Sequence, residues 1–112
     1  MTTEAELTGR IKRIKAQLVA LGDLRPGALS EQYNTCRSAG CRCKADPPAK
    51  HGPYHQLSYS RRGRSTTENV RPDHVGAVRA QIASYHQLRG LIDEWVDAAI
   101  ELDRLRRPPH TR

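Results

Sequence analysis

Phenylalanine is absent from this 112-residue chain, and its aromatic residues are Trp95 and four tyrosines. That is a poor inventory for a hydrophobic core, and surface-to-volume scaling leaves so short a chain modestly stable unless something adds to it. A structural metal, or helices paired between chains, is a usual supplement, and one or both are expected. Long apolar runs are also missing: none approaches the roughly 18 residues of a membrane span. The stretch Met1-Thr-Thr-Glu-Ala-Glu6 lacks the basic-then-apolar pattern of a secretory signal. The expectation is a cytoplasmic protein with no membrane partner. Cysteine is scarce, and all three copies fall between positions 36 and 43. In a reducing compartment, an odd and tightly clustered set binds metal more readily than it forms disulfides.

Acidic side chains are nearly missing from the middle of the chain. Residues 34–71 hold Asp46 and Glu68 against Arg37, Arg42, Lys44, Lys50, Arg61, Arg62, Arg64 and Arg71. The segments before and after are close to neutral, so the net charge of +7 is concentrated here. A basic patch of this kind is the electrostatic footprint of a polyanion partner, DNA or RNA above all, although solubility alone also produces one.

What is present in that middle is a potential ligand set. Cys36-Arg-Ser-Ala-Gly-Cys41-Arg-Cys43 is followed seven residues later by His51-Gly-Pro-Tyr54. Zinc takes tetrahedral sulfur and nitrogen ligands, and three cysteines with one histidine close a structural site. Cys36, Cys41, Cys43 and His51 fill that set around a structural Zn2+. The fourth place is the least determined: His55, His74, a water or a residue of another chain would also complete it. The spacing matches neither common iron–sulfur arrangement. Three cysteines in eight residues suit coordination better than a single nucleophile with its base. Asp93, Asp97 and Glu101 recur at i, i+4 along one helix face and do not converge on a site. The chain is therefore not expected to be an enzyme, and no small-molecule substrate is expected.

Around the cluster the pattern is helical, then β, then helical. Thr3-Glu-Ala-Glu6 fits a capping box. Leu7, Ile11, Ile14, Leu18 and Leu21 follow at alternating spacings of four and three, predicting a helix over 3–21 that stops near Gly22. Residues 28–53 read as an extended approach, the knuckle, and a loop that Pro47 and Pro48 keep from being helical. Residues 54–70 predict a β-hairpin, with His55, Leu57 and Tyr59 on one face and Arg61, Arg62 and Arg64 at its tip. Ser60, Ser65, Thr66 and Thr67 supply hydroxyl groups on either side of that tip. Pro72 and Asp73 open a helix predicted to run to 107, with Gly90 as a place to bend. The basic residues of the first helix, Arg10, Lys12, Arg13 and Lys15, have an intramolecular complement in Asp93, Asp97 and Glu101.

The order of these features resembles a family of small bacterial and phage proteins known as a domain of unknown function. The resemblance rests on Tyr33 ahead of Cys36, on Gly40-Cys41-Arg42-Cys43, on His51-Gly52-Pro53-Tyr54 and on Tyr85-His-Gln-Leu-Arg-Gly-Leu-Ile-Asp-Glu94. It covers nearly the whole chain. It implies a shared Cys/His site and, because members are often encoded near transposases and recombinases, a DNA-transaction setting. It supplies no catalytic residues.

The sequence thus reads as one α+β domain, mainly helical: an N-terminal helix, a Cys/His zinc knuckle, a β-hairpin and a long C-terminal helix, the helices forming an antiparallel pair or coiled coil. The expected role is zinc-dependent nucleic-acid binding, as an accessory factor in recombination or transposition. A protein–protein adaptor, using the long helix to dimerise or to bind a helical partner, is the alternative.

Overall fold

The computed structural model describes residues 1–109 as an α+β structure. The chain divides into two compact units, Arg25–Ile82 and Met1–Leu24 with Ala83 onward.

The Arg25–Ile82 unit is built on a three-stranded antiparallel sheet, β1 (Ala28–Asn34), β2 (His51–Arg61) and β3 (Arg64–Val70), in the order β1-β2-β3. The extended approach read from the sequence is thus a full edge strand. Ala28 pairs with Ser58 and Leu29 with Leu57, so β1 closes on residues more than 25 positions away. The hairpin β2–β3 turns through two residues only, between the partners Arg61 and Arg64. Arg62 and Gly63 both have positive φ, 52° and 78°. That is the backbone a two-residue turn needs to match the strand twist, and Gly63 supplies it without strain.

Alternation along the strands sets the two faces. His55, Leu57 and Tyr59 do share one, as their period of two implies, with Leu57 only 1% exposed. Val75 and Val78 are the other buried aliphatic side chains of this unit. They stand one turn apart at the start of α2 (Val75–Arg106), after a 3₁₀ turn over Pro72–His74. The Arg25 guanidinium lies 4.8 Å from the Tyr59 ring centroid, and its backbone N–H donates to the Gln81 carbonyl.

In the other unit, α1 (Glu4–Val19) begins with the expected capping box. The Glu6 N–H donates to Thr3 Oγ1, and the Thr3 N–H donates to the Glu6 carboxylate. Leu7 and Ile14 are buried on α1; Leu91, Ala98 and Leu102 are buried on α2. Leu7, Ala98 and Leu102 form one cluster, with Ile11 against it. Glu4 pairs with Arg106 at 2.8 Å, and Lys15 Nζ sits 5.2 Å from the Trp95 ring centroid, so the helices run antiparallel. Helix α2 continues through Gly90. At 1.5 Å per residue its 32 residues span about 48 Å.

The expected charge pairing between the helices is not the one observed. Among the described residues, Arg10, Lys12, Arg13 and Lys15 form no ion pair with Asp93, Asp97 or Glu101. At 100° per residue, Asp93 and Asp97 stand roughly 200° and 240° around the helix from Leu91, while Ala98 and Leu102 stay within about 20° of it. The face of α2 that buries Leu91, Ala98 and Leu102 therefore turns those carboxylates away.

Candidate metal centre and basic surface

Four short-range features bring the ligand set together. Cys36 follows the end of β1. Cys41 precedes, and Cys43 lies within, a 3₁₀ turn at Arg42–Lys44. His51 is the first residue of β2 and the register partner of Asn34, so strand pairing itself carries the imidazole back to the cysteines. The intervening loop is closed by the Ala49 N–H, which donates to the Arg42 carbonyl at 3.0 Å. Gly52 is required beside the site: its φ is +138°, and a Cβ there would stand 2.6 Å from the Gln32 carbonyl oxygen.

The ligand atoms of Cys36, Cys41, Cys43 and His51 all lie within 4.8 Å of one another. Cys36 Sγ is 3.6 Å from Cys43 Sγ, and Cys41 Sγ is 3.2 Å from His51 Nε2. A tetrahedral ion with metal–sulfur bonds near 2.3 Å separates its ligand atoms by about 3.5–3.8 Å. The set therefore could hold a metal ion with little movement. His55 and His74, the other histidines weighed for the fourth position, are not in the cluster.

The thiols are electrostatically unequal. Cys36 is lowered to about 6, because the Ser38 backbone N–H and then the His51, Cys41 and Cys43 side chains hydrogen-bond to its thiolate. Cys43 goes the other way. The Cys36 N–H, 3.3 Å from its sulfur, favours the thiolate, but burial and the neighbouring Cys41 and Cys36 thiols outweigh that and raise it. One thiolate is welcome here and a second is opposed. A bound cation would relieve that opposition.

All eight basic residues singled out in the sequence are exposed. They fall into groups at opposite ends of β2. Arg37, Arg42, Lys44 and Lys50 lie in the segment around the cysteines, and Arg61, Arg62 and Arg64 cap the hairpin. Ten residues of strand put these ends roughly 33 Å apart. Arg71 leaves β3 beyond Val70 and pairs with Asp73 at 3.2 Å. Among the described residues, the other seven have no ion-pair partner.

The hydroxyl groups beside the tip divide between the faces. Ser60 and Ser65 are partners on the face opposite Leu57, 3.1 Å apart, as are Ser58 and Thr67 at 3.3 Å. Thr66 stands opposite Tyr59 on the inner face and is half-buried. Gln56 and Asn69, also partners on the outer face, were missed in the sequence. Period-two reading of β2 marks Gln56, but only the register shows that Asn69 stands beside it.

Among the described residues, no helix is long and apolar enough to cross a membrane. No curated protein and no solved structure matches the chain. A family model does match, over residues 4–80, which takes in α1, the whole ligand set, the sheet and the start of α2. The chain accordingly belongs to the family described as a domain of unknown function, DUF6788.

Proposed function

We propose that this protein is a nucleic-acid-binding protein whose basic surface is held in shape by a structural zinc ion, and that it acts by binding and not by catalysis. The observation that carries the metal is the convergence of three thiols and one imidazole within 4.8 Å. That donor set favours zinc over the oxygen-seeking alkaline-earth ions. Bound there, the ion would tie the end of β1 and the start of β2 to the Arg42–Lys44 turn. The nucleic-acid reading is supported by seven exposed cations without acidic partners, grouped at both ends of one strand. An accessory role in DNA recombination or transposition is the setting that the family resemblance implies.

Zinc content and binding are tested separately. Elemental analysis of purified protein is expected to find about one zinc per chain. Less than about half an equivalent, with folding unchanged in a strong chelator, rejects the structural site. Shift assays on duplex, single-stranded and RNA probes at two salt concentrations are expected to show affinity falling steeply with salt. No binding to any probe at low salt rejects the nucleic-acid reading.

A second reading, the adaptor, is favoured by one observation. Ile92, Val96 and Ile100 recur at i, i+4 and i+8 on α2 and are 44%, 50% and 48% exposed. The occupant that fits this stripe is a second copy of the chain. Lys15 of α1 covers Trp95 on one side of it, and helical spacing puts Asp93 and Asp97 on the other, so two copies packed stripe to stripe could match opposite charges. Sedimentation at micromolar concentration is expected to give a dimer that Val96→Glu returns to monomer. A monomeric wild type rejects this reading.

A further inference from the structure

The outer face of the β2–β3 ribbon has an unusual composition for a sheet surface. Strand alternation and the pairs Gln56↔Asn69, Ser58↔Thr67 and Ser60↔Ser65 put six side chains on it. All six bear hydrogen-bonding groups, none is charged, and every one except the half-buried Gln56 is exposed. Glu31 and Glu68, the acidic residues of the sheet, belong to the opposite face: Glu31 pairs with His55 and Glu68 with Leu57, and the Tyr59 hydroxyl donates to Glu68 at 3.0 Å. A face made only for solubility would normally carry both signs of charge. A protein-docking face would carry apolar anchors.

The chemistry that matches neutral donors and acceptors between two cationic ends is a row of base edges between phosphates. Arg61, Arg62 and Arg64 stand at one end of the ribbon, and the basic segment around the cysteines at the other. Such residues can position a protein on the backbone, and Asn, Gln, Ser and Thr side chains can hydrogen-bond base edges. Shape selects the nucleic acid. Beyond the Ala28↔Ser58 pair, β1 ends and only β2 and β3 continue, so the three pairs nearest the turn form a two-stranded ribbon, while Gln56 and Asn69 lie just behind it where Ser30 of β1 adds a third strand. A two-stranded ribbon fits the roughly 12 Å major groove of B-DNA, whereas the A-form RNA groove is too narrow to admit it. Single-strand binding relies on a row of stacked aromatics, and none of these six side chains is aromatic; Tyr54, 47% exposed two residues before Gln56, is a single stacking surface beside them. Small neighbours, Ala28 and Ser30, leave Gln56 approachable from the β1 side.

We infer that the β2–β3 ribbon reads base edges in the major groove of duplex DNA, with Gln56 and Asn69 as its specificity-determining pair. This inference rests on the nucleic-acid reading above. Amide side chains match the adjacent donor and acceptor of adenine in that groove. The site selected should therefore contain adenine at one or two adjacent steps.

The test is selection from a randomised duplex library with the zinc-loaded full chain, followed by dimethyl sulfate footprinting on the selected duplex. Convergence on a short adenine-containing site is expected, with protection of guanine N7 in the major groove and none of adenine N3 in the minor groove. The double variant Gln56→Ala with Asn69→Ala should lose discrimination between selected and scrambled duplexes by roughly tenfold or more. Its zinc content, its affinity for scrambled duplex and its salt dependence should stay unchanged. Arg61, Arg62 and Arg64 replaced together by Ala should weaken binding to every duplex alike. Duplex binding without convergence, N3 instead of N7 protection, discrimination surviving in the double variant, or tighter binding to single strands or RNA each overturns the inference and leaves nucleic-acid binding standing. Absence of binding to every probe at low salt removes both. Footprinting on the unmodified chain gives a readout that no folding defect of a variant can imitate.

Discussion

The two compact units of this chain meet the same shortage of large apolar side chains in different ways. Residues 25–82 carry ten basic against four acidic residues, and the remainder carries nine against eight. In the sheet unit the buried set is Leu57, Val75, Val78 and Cys43 of the Cys/His cluster. In the helical unit it is Leu7, Ile14, Leu91, Ala98 and Leu102, five aliphatic side chains and no potential ligand. A strongly basic sheet with three buried aliphatic side chains repels itself and has little burial to offset that, so a metal staple there has most to contribute. The near-neutral helices instead use a capped start, an end-to-end ion pair at Glu4–Arg106 and ridge packing. The difference teaches that the Cys/His cluster and the charge go together: the unit that gathers cations also holds the side chains that could cross-link it.

The largest effect should come from the metal. Structural zinc in finger peptides contributes on the order of 10 kcal/mol. Chelation, or Cys43→Ser, is expected to lower amide protection in β1 and β2 sharply, without unfolding the whole population, while helical ellipticity largely persists. Equal loss from both units would erase the contrast between them. Next in size is core truncation, about 2–5 kcal/mol for a buried leucine. Leu57→Ala should raise hydrogen exchange across the sheet, and Leu7→Ala across α1 and the facing turns of α2, each measured by peptide-resolved mass spectrometry.

The charge contrast is tested by paired substitutions. Removing Arg61, Arg62 and Arg64 should reduce the salt slope of duplex binding by about 0.9 for each phosphate that is no longer neutralised. Replacing Lys12 and Lys15 by Ala should change it little, and a slope altered equally by both would move the interface onto the helices. The smallest effect concerns the thiols of metal-free protein. Cys36, lowered to about 6, should be alkylated by iodoacetamide before the raised Cys43 at pH 7, and its rate should fall as pH drops through about 6. The sign for stability follows: a depressed thiol stabilises the fold fully above its unfolded value, and that contribution fades as pH falls through about 6. Zinc should protect all three cysteines.

Much of this architecture was legible because it is local. Thr3 and Glu6 announce a helix start by their spacing, Leu7 and Ile14 share a face by the helical repeat, and His55, Leu57 and Tyr59 share one by alternation. The convergence of the Cys/His cluster was legible as well, because three cysteines in eight residues cannot lie far apart. The third strand was not, since Leu29 finds Leu57 across 28 positions and no local pattern announces the partner. Nor was the exposure of Ile92, which a helical stripe admits to the core as readily as Leu91.

By itself the sequence determined the capped start and buried face of α1, the hairpin, the concentration of cations between 34 and 71 and the chemistry of four potential ligands, since these depend on residue type and short spacing. Only the tertiary structure decided which histidine meets the thiols. The pairing of His51 with Asn34 brings its ring to Cys41, while His55, four residues on, turns to the inner face. It also decided which side of the sheet is charged, because a register shift of one residue would exchange Gln56 and Asn69 for Leu57 and Glu68. Pairing between distant strands is a collective choice of backbone hydrogen bonds and buried Leu57, and no single stretch of chain contains it.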